Sequence, residues 1–152
     1  MMGFVLLWLF QDFLMVLLNG MHVVPELFLL GVVYRLLSDG EGERLWAIWT
    51  VFVGGLIWDL RWIGIPGFFI LGNVVVVMLV LWVWNILPVH GRTLSVIFLL
   101  LEASQLLPPL LPVLILGGNA GGDFFVWQQI CALPAVSFCT YLYSKRLKDL
   151  HG

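Results

Sequence analysis

Residues 66–87, PGFFILGNVVVVMLVLWVWNIL, form an unbroken apolar run, and no charged side chain occurs anywhere between Arg61 and Arg92. A helix over this run would be about 33 Å long, against about 30 Å for the hydrocarbon core of a bilayer. It is predicted to span a membrane, and it is the cleanest of six such runs. Upstream, the run 45–60 is closed by Asp59-Leu60-Arg61, and the run 24–37 opens at Val23-Val24-Pro25-Glu26. Pro25 suits a first helical turn, and Glu26 sits where the positive end of the helix dipole favours an acid. The run 3–18 is interrupted by Gln11 and Asp12 and ends at the turn signal Asn19-Gly20.

Downstream, His90-Gly91-Arg92 reads as a short loop and Thr93 as the cap of a fifth run, 93–116. That run carries Glu102, Gln105, Pro108, Pro109 and Pro112, and its prolines predict a kink or break near Leu107. The glycine-rich stretch 117–123 is a loop; the sixth run, 124–143, contains Pro134 and precedes a short basic tail, 144–152. The second and third runs are short for straight spans. They are either tilted or one re-entrant pair, which would leave four crossings.

Composition agrees with this patterning. Of 152 residues, 62% are hydrophobic and 11% charged, and the mean hydropathy is +1.07. Too few polar residues remain to cover a water-facing surface, and intrinsic disorder needs the opposite balance. The expected fold is therefore an all-α integral membrane protein, a six-helix transmembrane bundle in one domain, 1–152. Continuous runs exclude a β-barrel, whose strands alternate. A net charge of −2 offers no basic field for nucleic acid. The first residues lack the charged n-region and cleavage site of a secretory signal, so the first run is expected to be retained.

Positive charge sets the orientation. With the N-terminus cytoplasmic, inner segments hold Arg35, Arg44, Arg92, Lys145, Arg146 and Lys148, and outer segments hold only Arg61. This bias places both termini on the cytoplasmic side of the lipid bilayer.

Ionisable residues within spans are costly and often functional. Asp12 lies near mid-depth of the first run. Glu102 lies one turn before Gln105 on one face of the fifth. These residues are read either as a proton- or substrate-binding set or as acids hydrogen-bonded to neighbouring helices to fix packing. Asn73 and Asn85 read as helix glue and an interfacial residue, His22, His90 and His151 as loop and tail residues, and the eight tryptophans as belt and lipid-facing residues. Cys131 and Cys139, about 12 Å apart along one helix, read as small buried apolar residues. No nucleophile–base pair, phosphate loop or metal motif is present, so no enzyme activity, cofactor or metal is expected.

The most distinctive string is GGLIWDLRWIGIPG, residues 54–67. Its glycine pair admits close backbone approach. Asp59 falls where the helix leaves the membrane, able to cap the helix that Pro66 opens or to pair with Arg61.

Here the sequence resembles the rod shape-determining protein MreD family: Gly55, then Asp59-Leu60 four residues on, then Gly67 eight past the acid. A second matching element is Pro25-Glu26 at the start of a short span with Tyr34 near its end. The resemblance covers most of the chain in layout and about five positions in motif. It implies a fold like the substrate-binding subunits of energy-coupling-factor transporters and a non-enzymatic role in the bacterial rod (elongasome) complex. The implied partner is MreC. Through it lie the class B penicillin-binding transpeptidase, RodA and, indirectly, MreB, in support of lateral peptidoglycan synthesis and cell shape. Pro25, Glu26, Gly55, Asp59 and Gly67 are then expected to shape the bundle, and Gly31, Gly54 and Gly55 to admit an added helix. The rival reading from another class is a vitamin-binding subunit of an energy-coupling-factor transporter, with Asp12, Glu102 and Gln105 lining its pocket.

Overall fold

In a computed structural model of the chain, residues 2–18, 24–38, 44–63, 67–116 and 122–151 are described. Their regular elements are all helical: α1 (Met2–Leu17), α2 (Leu27–Ser38), α3 (Arg44–Trp58), α4 (Phe68–Ile86), α5 (Leu94–Leu116) and α6 (Gly122–His151). A π-helical turn, Asp59–Ile63, extends α3, and a 3₁₀ turn, Val89–Gly91, joins α4 to α5. The expected turn at Asn19-Gly20, His22, most of the polar 38–44 loop, Pro66 and most of the glycine-rich loop lie outside the described residues.

The short α2 is the centre of the fold. It packs against α1, α3, α4, α5 and α6, and Leu29, Val32, Val33, Leu36 and Leu37 are all buried in the main core. A second small cluster forms from Met15, Val24 and Trp58, against Trp8, Leu14 and Phe69. The Trp58 ring meets Trp8 edge-on at 5.0 Å and Phe69 at 6.5 Å, tying α1, α3 and α4 together.

Burial is inverted relative to a water-soluble protein. The fully or nearly enclosed polar side chains are Gln11, Asp12, Asp59, Asn73, Ser104, Gln105 and Gln128, while Leu17, Trp46, Trp82, Leu99, Trp127 and Phe138 lie on the outside, each more than half exposed. Two windows, Phe69–Ile86 and Phe125–Lys148, are long and apolar enough to cross a membrane, and only 33% and 17% of them is buried within the fold.

Local sequence sets the helix ends. The α4 helix stops at Leu87, which turns to extended backbone (φ −69°, ψ 122°) before Pro88, as the residue preceding a proline must. Arg92 then folds back, donating through Nη2 to the Trp84 carbonyl at 3.2 Å with its guanidinium 4.6 Å from that ring. Thr93 Oγ1 accepts the Val96 N–H at 3.4 Å, the cap expected of it.

The basic stretch after 143 is helical, since α6 runs on to His151. One expectation is corrected: α5 does not break at its prolines, being helical from Leu94 to Leu116. Proline at position 109 supplies no N–H for the carbonyl of Gln105, four residues earlier. Gln129 of α6 donates from Nε2 to that carbonyl at 3.2 Å. A neighbouring helix thus replaces a donor the proline lacks, which is how proline is tolerated inside packed helices.

Candidate functional site

The polar residues converge on two places, both built around backbone that has no helical partner. The first is the non-helical segment 24–26, which leads into α2. The first N–H groups of a helix lack intrahelical acceptors, and burial makes each costly unless a side chain serves it. Gln11 Oε1 accepts from the Phe28 N–H at 2.8 Å. Gln105 Oε1 accepts from the Glu26 N–H at 2.9 Å, and its Nε2 donates to the Glu26 carbonyl at 3.2 Å. Gln128 Nε2 donates to the Val24 carbonyl at 3.2 Å. Three glutamines from α1, α5 and α6 therefore hold the entry to α2. The side chain of Glu26 joins the same network, accepting from Gln11 Nε2 at 2.7 Å. Pro25 needs no N–H partner in this crowded place.

The second place is the turn between α3 and α4. Asp59 is completely enclosed. Its Oδ2 accepts from the Gly67 N–H at 2.9 Å and the Ile70 N–H at 3.3 Å, and its Oδ1 from the Phe69 N–H at 2.7 Å. One carboxylate thus caps the start of α4, where the helix dipole also favours an anion. Gly67, the residue before α4, has φ +113°, which an L side chain rarely adopts. A Cβ on Gly55 would lie 3.1 Å from Ile70 Cα and 3.2 Å from its N. The spacing Gly55–Asp59–Gly67 is therefore the spacing of one turn: close approach, cap and left-handed entry.

Of the two roles open to Asp59, the structure takes the cap. Arg61 instead reaches Asp12 of α1, Nε to Oδ1 at 2.8 Å. Asp12 pairs with Arg61, Gln105 holds Glu26, and Glu102 keeps a buried Oε2 with no hydrogen-bond partner among the described residues.

The small residues are also used inside the chain. Gly54 receives the Phe28 ring and its carbonyl accepts from Trp8 Nε1 at 3.3 Å, Gly55 receives Ile70, and a Cβ on Gly31 would meet Leu7 at 2.6 Å. The expectation that these glycines admit an added helix is thus corrected at Gly54 and Gly55, whose approaches Phe28 and Ile70 fill, while Gly31 also lines an open face between α1 and α6. Cys131 is likewise exposed rather than buried, and both cysteines are free. No group of three or more His, Cys, Asp or Glu able to hold a metal occurs among the described residues.

Sequence reasoning noted Gln11 only as the neighbour of Asp12, and missed Gln128 and Gln129. Their signal was present: glutamines in apolar runs are expensive unless they face a partner. What it lacked was the partner, which is backbone in another helix. No family model, curated protein or solved structure matches the chain.

Proposed function

We propose that the protein is a non-enzymatic, six-span membrane scaffold of the rod complex, binding MreC and supporting lateral wall synthesis by RodA and the class B transpeptidase. The observation that carries this reading is the Asp59 turn. The positions that resemble the MreD family coincide with one structural device, in which Gly55, Asp59 and Gly67 join α3 to α4. Pro25 and Glu26 sit in the second such device. A motif consumed in holding helices together suits a protein whose work is to present a shape.

The inverted burial supports the membrane part. Apolar side chains face outward on α1, α3, α4 and α6, and the two longest apolar windows are too little enclosed for core helices of a soluble domain. The positive charges favour the inner membrane with both termini cytoplasmic. The transporter-subunit alternative draws less support, since Asp12 and Gln105 already have partners in the fold, Arg61 and the Glu26 backbone.

Affinity purification of the tagged protein from gently solubilised membranes, followed by mass spectrometry, tests the proposal. MreC with the elongation synthases is the expected recovery. A pair of ATPases with a coupling membrane subunit would overturn it in favour of the transporter.

A further inference from the structure

Both α1 and α6 pack on α2, yet neither packs extensively on the other. A lateral groove of about 610 Å³ opens between them, with α2 as its floor. Its walls are apolar, with Phe4 and Leu7 on α1, Leu30 on α2 and Phe138 on α6 among them. At one end stand Arg35, in the last turn of α2, and Arg146, late in α6. The Arg35 guanidinium lies 5.5 Å from the centre of the Phe4 ring, which fixes it at the groove mouth.

We propose that this groove binds one anionic phospholipid of the cytoplasmic leaflet, an alkyl chain lying along the apolar walls and the phosphate between Arg35 and Arg146. The inference rests on the membrane orientation proposed above but on no partner of the rod complex. Two arguments select a lipid over a protein helix. A helix about 10 Å across occupies roughly 420 Å³ per turn, so the groove takes little more than one turn, whereas an alkyl chain is thin enough to follow it. Charge also favours a lipid: both cations stand at the end where, by sequence, six Lys and Arg outnumber the acids Asp39, Glu41, Glu43 and Asp149, the end predicted to meet the negatively charged leaflet, where basic pockets between helices select anionic headgroups.

The test compares phosphatidylglycerol with phosphatidylcholine of the same chains, titrated into the full-length protein in mild detergent and read by native mass spectrometry. At roughly fivefold per arginine, the two together give a preference of roughly 30-fold for phosphatidylglycerol. Arg146→Gln, an exposed position, should reduce the preference about fivefold, and Arg35→Gln with Arg146→Gln should abolish it. Lys148→Gln, off the groove, should leave it unchanged, which separates a seated lipid from diffuse attraction to the basic end. An equal loss in Lys148→Gln, equal binding of the two lipids, or displacement by inorganic phosphate alone would overturn the proposal. Loss of partner capture with the lipid preference intact would count against the scaffold reading only.

Discussion

A single carboxylate replaces what would otherwise be three orphan donors at the head of α4. Asp59→Ala leaves the N–H groups of Gly67, Phe69 and Ile70 buried without acceptors, and is expected to cost about 2–4 kcal/mol. Asp59→Asn keeps one acceptor but turns an amide toward a donor, and should cost about half as much. Reversible unfolding by SDS in mixed micelles measures both, and a neutral Asp59→Ala would remove the cap from its central place. Gly67 gives an independent check on the same turn. Nothing lies within 4 Å of a Cβ there, so Gly67→Ala should cost only the backbone term, about 1–2 kcal/mol. A larger loss would mean that space, not φ, selects glycine. The capping role was legible in the sequence as one of two choices, because an acid before a Pro-Gly helix entry is a known device. Its rejection of Arg61 was not, since that choice depends on α1 delivering Asp12 to the arginine.

At the scale of the element, the proline-rich α5 is the instructive case. Sequence reasoning treats each helix as its own supplier of donors, and on that basis Pro108, Pro109 and Pro112 should interrupt it. A packed bundle relaxes the rule, because a side chain from the next helix can serve a carbonyl that proline abandons. The pairing makes a sharp prediction. Gln129→Leu should cost about 1–2 kcal/mol in the native sequence, where Gln105 O has no helical donor. In a Pro109→Ala background, where the restored N–H serves the same carbonyl, it should be nearly silent. A double-mutant cycle in detergent reads the difference as a coupling energy, and strictly additive effects would disprove the repair. The entry to α2 follows the same logic, with three glutamines supplying two acceptors and two donors to its backbone. Gln105→Leu removes both contacts to Glu26, so it should destabilise more than Gln129→Leu in the same unfolding assay. None of this was visible from periodicity, which reports which face is apolar but not which buried backbone needs a partner.

For the molecule as a whole, the open question posed by hydropathy is how many times the chain crosses, and the geometry of α2 bears on it. Its twelve residues rise only about 18 Å, well short of a 30 Å hydrocarbon core. The non-helical segment 24–26 precedes it and can add up to about 10 Å. Irregular backbone is tolerated at membrane depth only where protein surrounds and satisfies it. The collar of Gln11, Gln105 and Gln128 meets that condition, so a short central helix with a polar-held entry can complete a crossing. The six-span proposal then requires that the second and third runs both cross, with the 38–44 loop on the cytoplasmic side. In a protein with Cys131 and Cys139 replaced by alanine, Glu41→Cys should react with a membrane-impermeant maleimide only in inverted vesicles, and Asn119→Cys only in intact spheroplasts. A Cys at 41 that is protected from both sides, with Asn119→Cys still labelled from outside, would mean that α2 and α3 turn back within the bilayer. The groove between α1 and α6 would then open near mid-membrane rather than at the leaflet surface, and the lipid headgroup assigned to Arg35 would have no aqueous boundary to occupy. The labelling experiment therefore decides the crossing number and the depth of the arginine pair together.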